Sequence, residues 1–212
     1  MDPMKPDAEN YAVTDIETLE RLYEKPLEAS VAKEIDYIHP DYRAFIEASP
    51  FVVLATGGPE GMDASPRGDR PGFVVVADEK TLLLPDRRGN NRIDSLRNLV
   101  SDPRVGLLFL IPGVSETIRV NGRAVISTAP ELLQRLAVEG KPPRSVLVVR
   151  VERVYFQCAR AILRSALWDP AHQVERASLP SVGRILDDLT QSRIEAASYD
   201  ASLAGRIKTT LY

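Results

Sequence analysis

The sequence predicts a mainly β, α+β fold in which six antiparallel strands form a small barrel with helices at its periphery. Three observations predict it. From Phe51 onward, short β-branched and aliphatic runs follow one another, each bounded by Gly, Pro, Asp or Asn. The polar connection Asp78-Glu79-Lys80 is short enough for a hairpin, which makes the sheet largely antiparallel. Few helical stretches interrupt the runs, and that pattern suits a small barrel better than an alternating α/β sheet.

Ahead of the strands, residues 11–50 read as a helical cap over the core. Thr14 is placed to cap a first helix, Glu17 follows three residues on as in a capping box, and Ile16, Leu19 and Leu22 recur at helical spacing. A second helix follows Pro40, with Tyr42, Phe45 and Ile46 on one face and Pro50 ending it. Residues 1–10 are expected to be frayed.

The strands then read FVVLAT, GFVVVA, TLLLP and VGLLFLI, with a turn at residues 57–61. The fifth, ETIRVNGRAVI, alternates: Ile118, Val120, Ala124 and Ile126 share a core face, and Thr117, Arg119, Asn121 and Arg123 share a polar one. After a helix from Pro130 to Ala137, residues 145–158 give the sixth strand. Residues 159–212 form a C-terminal helical segment. In it Ser181 can cap a helix presenting Val182, Ile185, Leu186 and Leu189. The whole is read as one domain.

Of the 212 residues 44% are apolar and 27% charged, enough for one sizeable core. With 27 basic against 30 acidic residues the net charge is -3, so no global field draws the chain to nucleic acid or an anionic membrane. Any anion site must be local. One cysteine, Cys158, excludes an internal disulfide, and two histidines, His39 and His172, do not assemble a zinc site. There is no secretory leader pattern at the start and no run of the ~20 apolar residues that a bilayer span needs, so a cytoplasmic protein is expected.

The segment that carries most chemistry is LLLPDRRGNNRIDSLRNL, residues 82–99. A buried strand ends at Pro85, a basic loop follows, and a helix is predicted to begin near Asn90 or Asn91. A helix N-terminus offers free N–H groups and partial positive charge, reinforced here by Arg87, Arg88 and Arg92. Either asparagine can cap the helix or donate to a ligand, and Gly89 permits close approach or a positive φ. Solvated loop arginines are the competing reading. ASPRGDRPG, residues 64–72, is a second basic segment, read as a turn-rich loop between strands in which Ser65 and Arg67 are either solvated or a further phosphate clamp. Its RGD triplet is read as coincidental. On the polar face of the fifth strand, Arg119 and Arg123 need either carboxylates across a subunit interface or a ligand. Arg160, Arg164 and Trp168 stand at helical spacing, as ring neighbours or as ordinary packing.

Taken together, SPRGD at 65–69, LLLPDRRGNNR at 82–92, DSLRNL at 94–99, DPRVGLLFLIPG at 102–113, ETIRVNGRA at 116–124 and CARAILRSALWDP at 158–170 resemble the pyridoxamine 5'-phosphate oxidase-like flavoproteins. The likeness runs over roughly residues 10–212. It implies a split β-barrel homodimer with two FMN molecules in clefts at the subunit interface. It also implies a set of cofactor contacts. The polar pair at the strand end falls on Pro85 and Asp86, the phosphate grip on Asn91 and Arg92, and the preceding arginine near Arg67 or Arg70, with Arg67 preferred for its place in SPRGD beside Ser65. Arg88 and Asn90 lie in the same loop. Thr117 takes the place of a flavin-contacting glutamine, and Arg164 and Trp168 correspond to a C-terminal Arg and Trp. The basic residues that hold pyridoxal phosphate in true oxidases have no clear counterparts, which argues against vitamin oxidation, so the substrate is an unidentified small molecule and no catalytic residue is assigned. The resemblance thus points to an FMN-dependent oxidoreductase. A non-catalytic flavin, haem or deazaflavin carrier, or a dimeric module with an empty cleft, are its competitors.

Overall fold

In a computed structural model of the chain, residues 10–210 are described, so the expected fraying of residues 1–10 falls almost entirely outside them. The chain divides into two compact units, Met1–Glu34 and Ile35–Tyr212.

The first unit carries α1 (Ile16–Arg21) and α2 (Glu28–Ala32), neither of which buries a residue. The cap of α1 is Asp15, one residue beyond the predicted Thr14. Its carboxylate accepts from the Thr18 amide at 2.8 Å, a bond that also holds the acid below the usual carboxylate range.

The second unit begins with α3 (Pro40–Ala48), whose first turn is capped by the His39 ring. The strands are β1 (Phe51–Gly58), β2 (Gly61–Gly68), β3 (Val75–Asp78), β4 (Thr81–Asp86), β5 (Arg104–Leu110), β6 (Thr117–Ser127) and β7 (Ser145–Gln157). They make one antiparallel sheet in the order β2-β1-β5-β6-β7-β4-β3. The predicted hairpin at Asp78-Glu79-Lys80 joins β3 to β4, and the predicted turn at 57–61 joins β1 to β2.

Two expectations need correction. There are seven strands, not six, because the segment read as a turn-rich loop is the strand β2. Its Gly, Asp, Ser and Pro content signals turns, but β2 lies at the edge of the sheet, where Pro66 removes a donor the ladder does not need. Nor is the sheet a closed barrel. The two edge strands, β2 and the four-residue β3, do not pair with each other.

The sheet curls nonetheless. Four strands separate β2 from β4 in the hydrogen-bonded order, yet Arg67 on β2 lies 3.9 Å from Asp86 at the end of β4. The concave face holds the main core, with Val52, Leu54, Leu82, Leu84, Leu107, Phe109, Ile118, Val120 and Val149 all buried, closed by Ile46 of α3 and by Leu99 of α4 (Asp94–Ser101). The alternation predicted for β6 holds, with a bulge between Asn121 and Gly122. A Cβ at Gly122 would stand 2.1 Å from the Arg150 carbonyl oxygen, so the bulge requires glycine there. At Gly58, where β1 meets α4, a Cβ would stand 2.3 Å from Asn98 Oδ1. On the convex face Leu83 and Val146 are covered by α5 (Pro130–Arg135) and by Leu136.

The convex face of β6 also answers for its arginines. Arg119 donates to the Tyr155 hydroxyl at 3.1 Å, and its guanidinium stands 5.6 Å from that ring. Arg123 lies close enough to Asp102 to help lower the carboxyl's pKa, to about 2, although the hydrogen bonds from Arg104 dominate that shift.

After β7 come α6 (Arg160–Ser165), two short 3-10 turns, α7 (Val182–Thr190) and α8 (Ala196–Thr210). Ser181 caps α7 as predicted, accepting from the Arg184 amide at 3.0 Å. The helix pairs with α8, where Asp200 accepts from the Gly183 amide at 2.8 Å. Ser181→Ala is expected to lower stability by about 1 kcal/mol in a denaturant titration, the usual size of an N-cap deletion. An unchanged midpoint would mean that the α7–α8 pair is not part of the cooperative unit.

Candidate functional site

The curl of the sheet leaves a cleft of about 660 Å3, within the ordinary range for small-molecule sites. Three segments supply most of its lining: β2, the stretch that runs from the end of β4 into α4, and the residues at the start of β7. Five arginines, Arg67, Arg87, Arg88, Arg92 and Arg144, face three aspartates, Asp63, Asp86 and Asp94, so the cleft carries a net positive charge of two. The chain as a whole is acidic, so this positive excess among the lining residues is local.

Each wall has a local cause. The 87–93 loop cannot become helix early, because Asn90 folds it into a turn by accepting from the Arg92 amide at 2.9 Å, and Asn91 takes the left-handed conformation at φ 63°. Helix α4 therefore starts at Asp94, later than the predicted Asn90 or Asn91, and neither asparagine caps it. Among the described residues no side chain caps it. The first-turn amides of Asp94, Ser95 and Leu96 are the ones that helical geometry leaves without an intrahelical partner, and these residues line the cleft. The positive φ that Gly89 would permit is found at Asn91 instead. Leu96 and Leu99 pack on the core as predicted, whereas Ile93 is exposed.

Arg67 is held in place by its neighbours. It donates to Ser65 Oγ at 2.8 Å and to the Pro66 carbonyl at 2.9 Å, and its Nη2 lies 3.5 Å from Ser95 Oγ. Ser95 is buried and gives its single proton to the Asp63 carboxylate. Asp86 faces Arg67 and Arg144, but burial outweighs both and pushes its carboxyl above the ordinary range. Arg144 reaches over to Asn91 Oδ1 at 2.8 Å, and Arg92 pairs with Asp94. Arg88 has no hydrogen-bond or ion-pair partner among the described residues. Arg87 turns away to pair with Asp69 at 2.9 Å and to donate to the Leu136 carbonyl.

Eight of the predicted contacts thus converge: Ser65, Arg67, Pro85, Asp86, Arg88, Asn90, Asn91 and Arg92 all line this one cleft. Asp63, Ser95 and Arg144 join them without having been anticipated. The three other predicted residues lie outside it. Thr117 opens β6 opposite Gln157, Arg164 donates to the Arg160 carbonyl, and Trp168 donates to the Val114 carbonyl at 2.8 Å. The expected helical face of Arg160, Arg164 and Trp168 does not form, because α6 stops at Ser165 with Ala166 in the left-handed conformation.

Residues 38–158 match the family of pyridoxamine 5'-phosphate oxidase, more than half of the chain. The chain belongs to the pyridoxamine 5'-phosphate oxidase family. The matched span contains every wall of the cleft and stops short of Arg164 and Trp168. No curated protein matches the chain. Solved structures similar to this family member include HupZ from Group A Streptococcus, at 17% identity and TM-score 0.47 over 56% of this chain and 93% of that one. An FMN-binding protein from Syntrophomonas wolfei is 14% identical, with TM-score 0.43 over 55% of this chain and 83% of that one. A Clostridium acetobutylicum protein related to general stress protein 26 of B. subtilis (pyridoxinephosphate oxidase family) is 16% identical, with TM-score 0.44 over 55% and 85%.

The donor set of the cleft suits a phosphate monoester. It combines guanidinium groups that can bind oxygens bidentately, the Ser65 hydroxyl, and the first turn of α4 in the lining of one cleft. Among the described residues no group of three or more His, Cys, Asp or Glu could hold a metal, and no helix is long and apolar enough to cross a membrane.

Proposed function

We propose that the chain is an FMN-binding oxidoreductase of the pyridoxamine 5'-phosphate oxidase family, acting on a small molecule other than pyridoxamine phosphate. The observation that carries this reading is the convergence of the β2 segment, the 87–93 loop and the first turn of α4 on one arginine-rich cleft. Arg67, Arg88 and Arg92 with the α4 amides would hold the phosphate, joined by Arg144. Bound there, FMN would supply the redox chemistry, and the protein's part is to bind and orient it. A homodimer, with the flavin at the subunit interface, is the arrangement that could bring Thr117, Arg164 and Trp168 to the same cofactor from a second copy.

The test is a titration of the purified chain with FMN and riboflavin, followed by flavin absorbance and fluorescence, with light scattering to count subunits. FMN is expected to bind about 100-fold or more tighter than riboflavin, the difference that charge-assisted phosphate contacts make. Equal affinity for the two would remove the phosphate from the cleft, and a monomer that still binds FMN would remove the second copy from the site.

A further inference from the structure

Asp86 does not suit a simple anion site. In a cleft that gathers five arginines, its side chain is only 20% exposed and bears the charge that an anion avoids. The nearest cation, Arg67 Nε, stands 3.9 Å from Oδ1, beyond hydrogen-bond range. No described residue donates a hydrogen bond to the Asp86 carboxylate. The other aspartates of the cleft are satisfied, Asp63 by Ser95 and Asp94 by Arg92. Its backbone is fixed as well: Asp86 pairs with Ser145 in the β4–β7 ladder, and its carbonyl accepts from the Arg144 amide at 3.1 Å. Burial raises its pKa in spite of the two arginines, the sign of a carboxylate short of donors.

An ionised carboxylate can only accept. Inorganic phosphate and an alkyl phosphate bring charge for the arginines and nothing for Asp86, which then repels them. A phosphate ester of a hydroxylated chain brings both, its hydroxyls lying a few bonds from the phosphorus. We propose that Asp86 is a specificity-determining residue. It accepts a hydrogen bond from a hydroxyl of the chain that adjoins the ligand's phosphate, so the cleft selects polyol phosphate monoesters over alkyl or inorganic phosphate. This rests on the phosphate reading above; in FMN the hydroxyls are those of the ribityl chain.

Calorimetric titration of the whole chain with ribitol 5-phosphate, n-pentyl phosphate and inorganic phosphate tests it, in the wild type, Asp86→Ala and Asp86→Asn. The wild type is expected to bind ribitol 5-phosphate about 10-fold or more tighter than pentyl phosphate, as a hydrogen bond to a charged acceptor gives. In Asp86→Ala that preference should fall to about 3-fold or less, with pentyl phosphate bound more tightly than by the wild type. Should the alanine variant not fold, tighter pentyl phosphate binding by Asp86→Asn supports the same conclusion, and unchanged binding overturns it. A wild type without the preference, or a folded Asp86→Ala that keeps it, overturns the proposal while the phosphate site stands. If the wild type binds neither phosphate ester nor FMN, the phosphate reading is itself wrong and the role of Asp86 falls with it.

Discussion

Arg67→Ala is expected to weaken FMN binding by about 2 to 4 kcal/mol, roughly 30- to 1000-fold in Kd. Arg67 is 22% exposed, so a contact from it to phosphate is poorly screened. The substitution acts twice in the same direction. It removes a cation whose position is fixed by Ser65, Pro66 and Ser95, and it leaves the half-buried Asp86 carboxylate with only Arg144 to offset it. Arg92 offers the contrast. It is 77% exposed and already paired with Asp94, so Arg92→Ala should cost about 1 kcal/mol or less. Fluorescence titration of both variants ranks them, and a larger loss for Arg92→Ala would place the phosphate at the solvent side of the loop rather than beneath it.

The sequence showed the site's residues better than its shape. Ser65, Arg67, Arg88, Asn90, Asn91 and Arg92 stood out locally, because basic and turn-forming residues flanking a buried strand carry a signal, whereas Asp86 was reached only through the family resemblance. Arg144 and Ser95 carried none. Arg144 reaches the cleft only because Asp86 pairs with Ser145, a register set by two strands nearly sixty residues apart. Ser95 counts because the curl of the sheet brings Asp63 to it. The missed strand β2 has a similar cause: its composition obeys turn rules, and only its place at the sheet edge makes Pro66 and two glycines acceptable. The start of α4 was misplaced because two asparagines read equally as helix caps and as turn formers. The turn won here, with one of them left-handed.

The Asp69–Arg87 pair yields the largest expected effect on stability. Arg67 and Asp69 belong to the same five-residue run, and they face successive residues at the end of β4, Asp86 and Arg87. Asp69 is 4% exposed and Arg87 17%, which also means that the RGD triplet does not present its carboxylate to a receptor. Arg87 Nε donates to Asp69 at 2.9 Å and Nη1 to the Leu136 carbonyl at 2.8 Å, while Asp69 also accepts from the Arg70 amide. Arg87→Met keeps much of the stem and removes the charge, so the buried Asp69 carboxylate loses this guanidinium. Loss of one partner from such a pair typically costs about 3 to 5 kcal/mol. Asp69→Asn with Arg87→Met should recover a good part of it, since no buried charge is then left over. Urea unfolding of the two singles and the double closes the cycle. Because the pair anchors the wall that carries Arg88, FMN affinity should fall with stability in Arg87→Met and return in the double variant. A single variant that unfolds like the wild type but loses FMN would make Arg87 a direct ligand instead of a brace.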